Sequence, residues 1–202
     1  MDQLIDQART FRLRCGETGR DYAELAAGQS PQALFISCSD SRVVPALITG
    51  AGPGDLFELR TAGNIVPPYR DAPPSGEAAT IEYAVEVLGV REIVVCGHSH
   101  CGAVTAIVRG DDLSAVPAVR SWLGQAGGQP AQAPAATGEI FDPSVAGPVQ
   151  RHVRAQLERL LEYPGIARRH AEGTLRLHGW FYEVHTGLVL AHRPEADAFL
   201  PL

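Results

Sequence analysis

Apolar positions along the chain switch between two periods. Leu4, Ile5, Ala8, Phe11 and Cys15 recur at helical spacing and predict a helical arm over residues 1–27. Ala33 to Ser37 is a short apolar run of strand formers that stops at Cys38, and Asp55 to Leu59 is a second run. Ser75 has the chemistry of a helix N-cap. Ile81, Tyr83, Ala84, Val87 and Leu88 follow it on one face, and Gly89 is the stop. A third strand run, Glu92 to Cys96, ends at Gly97, and a helix-like CGAVTAIVRG comes next. Residues 124–149 are rich in Gly, Ala, Pro and Gln and predict a mobile surface loop. Helix resumes near Val149, with Val153, Leu157, Leu160 and Leu161 on one face. Leu175 to Glu183 predicts a strand, Thr186-Gly187 a turn, and Leu188 to Ala191 a returning strand.

Strand alternating with helix predicts an α/β fold with a mostly parallel central sheet flanked by helices. The runs at 34–36 and 93–95 are apolar on both faces, as a sheet covered on both sides requires. A chain of 202 residues suffices for one domain with a substantial core, and 1–202 is expected to be one. No apolar run approaches the roughly 20 residues needed to span a bilayer. Charges interrupt every apolar stretch near the start, unlike a signal peptide, so a cytoplasmic location and no membrane partner are expected. The net charge of −6, with Arg as the only strong base and no basic cluster, argues against nucleic acid as a partner.

Four cysteines are few for a disulfide scaffold, and in a reducing compartment they read better as ligands or nucleophiles. Two segments stand out: Cys38-Ser39-Asp40-Ser41-Arg42 and Gly97-His98-Ser99-His100-Cys101-Gly102. Each follows a predicted buried strand, and in an open α/β sheet ligands gather at the carboxyl ends of parallel strands. Two thiolates and an imidazole from Cys38, Cys101 and His98 form a set that suits Zn²⁺. Three protein ligands leave a fourth place open, the pattern of a catalytic zinc, which lowers the pKa of water to about 7. Asp40 could fill that fourth place. Alternatively Arg42 could hold its carboxylate bidentately, leaving it ionised beside the metal.

CSDSRV and GHSHCGA, in that order after two strands, resemble the β-class carbonic anhydrases. The stretch GDLFELRTAGNIV, the helix SGEAATIEYAVEVLGV, VRAQLERL and GWFYEVHTG extend the resemblance over nearly the whole chain. It implies one zinc per subunit on Cys38, His98 and Cys101, with Asp40 and Arg42 as a catalytic dyad. It implies reversible hydration of carbon dioxide to bicarbonate, in a homodimer or homotetramer. Gln29 and Tyr83 match residues of the carbon dioxide pocket in plant-like members, and Phe57 and Val66 are expected beside them. Two alternatives remain: a hydrolase of carbon disulfide or carbonyl sulfide on the same scaffold, and a non-catalytic zinc- or bicarbonate-binding module. Thr61 and His152 stand where the family commonly has Asn.

Other residues of chemical interest have plainer expectations. Cys15 and Cys96 are core filler, Trp122 and Trp180 are core or interface residues, and Gly63-Asn64 serves backbone geometry. Arg151, Arg154, Arg168 and Arg169 form a solvated helix face. His170, His178, His185 and His192 have surface or packing roles, and His100 sits between two ligands with an open role.

Overall fold

The computed structural model describes residues 1–17, 22–70, 73, 75–126 and 146–202. The chain divides into two compact units, Met1–Ser30 and Pro31–Leu202. In the first, helix α1 spans Asp2–Glu17 and a 3-10 turn spans Glu24–Ala27, and residues 18–21 of the expected helical arm over 1–27 lie outside the described residues. Within that unit Phe11 meets Tyr22 edge-to-face, with ring centroids 5.9 Å apart.

The second unit is built on one six-stranded sheet. Its strands are β1 (Ala33–Cys38), β2 (Leu56–Thr61), β3 (Glu92–His98), β4 (Arg176–Tyr182), β5 (Val189–Arg193) and β6 (Ala198–Pro201). The spatial order is β2-β1-β3-β4-β5-β6. The first four are parallel, and β5 and β6 are antiparallel additions. Every residue of β1 is buried, as is all of β3 after Glu92, which is what their unbroken apolar runs require. β3 continues two residues past Cys96, so His98 is its last residue.

The strand order reverses between β1 and β3, because β2 lies on one side of β1 and β3 on the other. That reversal opens a crevice at the carboxyl ends of the two strands. Cys38 ends β1 and His98 ends β3, so the topology brings both motifs to the crevice.

Helices α2 (Pro45–Thr49), α3 (Gly76–Glu82), α4 (Gly102–Arg109), α5 (Pro117–Leu123), α6 (Ala146–Leu160) and α7 (Pro164–Ala171) complete the unit. Ser75 caps α3 by accepting a hydrogen bond from the Ala78 N–H at 3.1 Å. The helix runs on as a π turn over Tyr83–Val87. Arg169 holds that turn from α7, donating to the Val85 carbonyl and, at 2.9 Å, to the Val90 carbonyl. Arg168 pairs with Glu86 at 3.1 Å. Arg168 is exposed, as a solvated Arg face requires, whereas Arg169 departs from that expectation by tying α7 to the end of the α3 segment. α6 packs on β3 and β4 where Gly97 and Gly179 leave room; a Cβ at Gly97 would lie 2.6 Å from Val153 Cγ2 and 2.7 Å from Val149 Cγ1.

Of the loop expected over 124–149, residues 127–145 lie outside the described residues. Its edges are structured: Ala126 is buried, and α6 begins at Ala146. Among the described residues no helix is long and apolar enough to cross a membrane.

Candidate metal centre

Cys38, His98 and Cys101 are buried, and one ligand atom from each lies within 4.8 Å of the others. Bonds of about 2.0–2.3 Å at tetrahedral angles separate zinc ligands by roughly 3.3–3.8 Å, a spacing that falls inside this limit. Cys101 reaches the site from the residue before α4.

The imidazole shows how the group fits a metal. His98 Nδ1 lies 2.9 Å from the Ser99 carbonyl oxygen. That oxygen only accepts, so Nδ1 carries the proton and Nε2 of the neutral ring carries a lone pair. Nε2 is buried and has no hydrogen-bond partner. A buried acceptor left unpaired costs free energy, and an ion between the two sulfurs and Nε2 removes that cost.

The thiols are prepared in the same sense. A hydrogen bond from Cys101 lowers the pKa of Cys38, aided by the backbone N–H groups of Asp40 and Gly63. Its bond to Cys38, together with burial, raises the pKa of Cys101, against which the N–H groups of Val104 and Ala103 at the start of α4 pull down. The pair therefore settles with one proton and one negative charge, and a divalent cation displaces the remaining proton.

Asp40 lies at the rim, with Oδ2 4.0 Å from His98 Nε2. Hydrogen bonds from the Arg42 side chain, above all, pull its pKa down to about 2, so it is an ionised acceptor at neutral pH. Arg60 fixes the turn that carries both residues: its Nη2 donates to the carbonyls of Cys38, Asp40 and Val43 at 2.8, 2.8 and 2.7 Å. A buried soft ligand set beside a clamped carboxylate, at the reversal point of a parallel sheet, matches known proteins. The sequence profile of the carbonic anhydrases matches residues 33–189. The chain is 47% identical to the carbonic anhydrase of Pseudomonas aeruginosa, over 90% of this chain and 82% of that one. The solved β-carbonic anhydrase CcaA superposes with a TM-score of 0.87 at 37% identity, covering 100% of this chain and 99% of the other.

The chain belongs to the β-carbonic anhydrase family.

Two further relatives span similar lengths. The carbonic anhydrase of Synechococcus elongatus is 42% identical over 94% of this chain and 71% of its own. A tetrameric β-carbonic anhydrase from Sordaria macrospora superposes with a TM-score of 0.73 at 30% identity, covering 94% of each chain.

Around this candidate centre the structure sorts the residues expected from sequence. Cys38, His98, Cys101, Asp40 and Arg42 come together. Val66 is buried in the same apolar cluster as Cys38 and Cys101, and Phe57 packs against that cluster. Tyr83 meets Phe57 with ring centroids 6.0 Å apart, and its side chain is 44% exposed. Gln29 belongs to the N-terminal unit, Met1–Ser30.

Several residues at the centre had no specific role in the sequence argument. Ser99 sets the His98 tautomer through its carbonyl, and its Oγ accepts from the Val184 N–H at 2.9 Å. The Gly63 N–H donates to Cys38 Sγ at 3.4 Å. His152, remarked only as a departure from the family, is buried and hydrogen-bonded through Nε2 to the Gly63 carbonyl at 2.8 Å. Arg60, 22 residues from Cys38, and a His inside a helical apolar stripe carry no local spacing that announces these roles.

Proposed function

We propose that this chain is a cytoplasmic zinc enzyme that interconverts carbon dioxide and bicarbonate. Cys38, His98 and Cys101 would hold one ion per subunit, and zinc in a three-ligand site supplies a nucleophile at neutral pH by acidifying water. The observation that carries the proposal is the unpartnered, buried Nε2 of His98, left with a lone pair by its tautomer and grouped with the sulfurs of Cys38 and Cys101. Asp40, ionised and gripped by Arg42, can only accept a hydrogen bond. It orients a donor at the open place and leaves a lone pair for an electrophile. Phe57, Val66 and Tyr83 are proposed to shape the apolar pocket for carbon dioxide. The absence of net charge on that substrate suits apolar walls.

The relatives named above, one of them described as tetrameric, support assembly as a homodimer or homotetramer.

The test is stopped-flow hydration of carbon dioxide with metal analysis of the same sample. About one zinc per chain and hydration that disappears on chelation and returns with zinc are expected. Zinc without hydration would leave a binding module. Faster turnover of carbonyl sulfide or carbon disulfide than of carbon dioxide would replace the substrate. Light scattering of an active monomer would remove the oligomer.

A further inference from the structure

The segment after β2 passes directly over Cys38 and is held by side chains from two helices beyond it. Trp122 on α5 donates its indole Nε1–H to the Ala62 carbonyl at 2.8 Å. The Ala62 carbonyl and the Gly63 N–H belong to one peptide group, and that N–H donates to Cys38 Sγ at 3.4 Å. The indole and the sulfur thus sit at opposite ends of a single planar unit. The next peptide is held in the same way, with His152 Nε2 on α6 donating to the Gly63 carbonyl at 2.8 Å. Burial lowers the pKa of His152, so its ring is neutral, and the carbonyl it faces requires the proton on Nε2. Gln156, one turn along α6, accepts from the Val66 N–H at 2.9 Å and donates to the Ala126 carbonyl at 2.7 Å. Gly63 itself has φ of 74°, and a Cβ there would lie 3.0 Å from the Ala103 Cβ, so the peptide has one place to go.

We propose that Trp122 and His152 are positioning residues for the Cys38 sulfur, acting through the two peptides that flank Gly63. The proposal rests on Cys38 being a zinc ligand. A donor on a peptide carbonyl polarises the amide and strengthens the hydrogen bond that its N–H gives. Trp122 therefore stabilises negative charge on a sulfur it does not touch, and His152 keeps the neighbouring peptide from rotating the N–H away. Both act on how firmly the thiolate is held for the metal and how much charge it gives to it.

The experiment uses the zinc-loaded full chain and its cobalt-substituted form. Trp122→Phe keeps the aromatic bulk and removes the donor. His152→Leu removes the second donor, and His152→Gln restores an N–H at similar reach. The readouts are the rate of zinc transfer to a chelator and the sulfur-to-cobalt charge-transfer band. Trp122→Phe and His152→Leu are expected to weaken metal retention by roughly 10–100-fold, the usual cost of losing an outer hydrogen bond to a metal site. Their cobalt bands should shift, and His152→Gln should stay near the parent on both measures. The band is read on folded, loaded protein, so lower stability alone does not move it. Parent-like retention and an unshifted band in both donor-deleted variants would overturn the proposal. Faster zinc loss with an unshifted band would overturn it too, since that reports general loosening. A parent chain that takes up no zinc would sink the functional proposal along with this one, whereas a loaded parent with unchanged variants sinks this one alone.

Discussion

Arg42 grips Asp40 with two parallel hydrogen bonds, Nε to Oδ1 at 2.9 Å and Nη2 to Oδ2 at 2.7 Å. A third comes from the Arg42 backbone N–H to Oδ1 at 2.9 Å, and Nη2 also reaches the His100 carbonyl at 3.2 Å. The carboxylate is thereby turned to the rim rather than into the ligand set. Asp40→Ala is expected to keep its zinc while hydration falls by about 10²–10⁴-fold, the contribution of a positioned proton-handling group. Rate and zinc content are measured on the same sample. Zinc lost with the carboxylate would make Asp40 a ligand, and parent-like rates with zinc in place would remove the pair from the mechanism.

Arg42 has a separate test. Without its guanidinium the Asp40 carboxylate, 4.0 Å from His98 Nε2, is free to swing onto the metal. Arg42→Ala should retain zinc, lose activity, and show Asp40 as a fourth ligand in a crystal structure. Lys should rescue poorly, because a point charge does not hold both carboxylate oxygens in plane. Full activity in the Lys variant would show that charge alone suffices.

Cys101→Ser should lose zinc, as should Cys38→Ser. Each swaps a sulfur for a harder oxygen whose proton does not leave at neutral pH, and each leaves His98 Nε2 facing one thiol. Metal analysis after dialysis checks both. Full occupancy in Cys101→Ser would break the assignment of the ligand set.

What was legible in the sequence was what is local. The apolar runs that became β1 and β3 are buried on both faces, and the ligand letters stand at or just beyond their ends, so strand, crevice and donor set could be argued together. The π turn at Tyr83–Val87 was not legible, because it is stabilised by Arg169, 84 and 79 residues from the carbonyls it holds. The same separation hid Trp122, which lies 60 residues from Ala62. Helices α2, α5 and α7 are too short for periodicity to announce, yet each begins on a proline, a start signal that was available and went unused. Tyr83 and Phe57 were paired only by family likeness, and their ring contact is a fact of tertiary packing.

Glu92 gives a prediction in acid. A hydrogen bond from Arg176, first, and one from His178 at 2.7 Å hold its pKa below the ordinary carboxylate value. A carboxylate depressed in the folded state stabilises the fold above its unfolded pKa, about 4.3, and that contribution is lost as pH falls through the lower folded value. Glu92→Gln should therefore flatten the acid side of the stability profile, read as urea midpoints from pH 6 down to pH 3. The Arg176 side chain is 73% exposed, so the difference should be under about 1 kcal/mol. Parallel profiles for parent and variant would show that the pair contributes nothing.

Gly97→Ala tests the packing that sets the centre. Gly97 immediately precedes His98, and its missing Cβ is where Val149 and Val153 of α6 press on the sheet, at 2.7 and 2.6 Å from the position a Cβ would take. Both valines are buried, so neither has solvent to retreat into. One methyl must push α6 off β3, and overpacking of this kind costs about 1–3 kcal/mol. The displacement has a chemical consequence as well, because His152 lies between those valines on α6 and holds the Gly63 carbonyl. Gly97→Ala should therefore lower the urea midpoint and also speed zinc loss. Gly76→Ala is the control: a Cβ there meets nothing within 4 Å, and it sits in the first turn of α3. That variant should match the parent or gain a few tenths of a kcal/mol from a less flexible unfolded chain. A Gly97→Ala protein with parent-like stability and parent-like zinc retention would show that α6 yields freely, and that its grip on the Gly63 segment does not depend on its seat against β3.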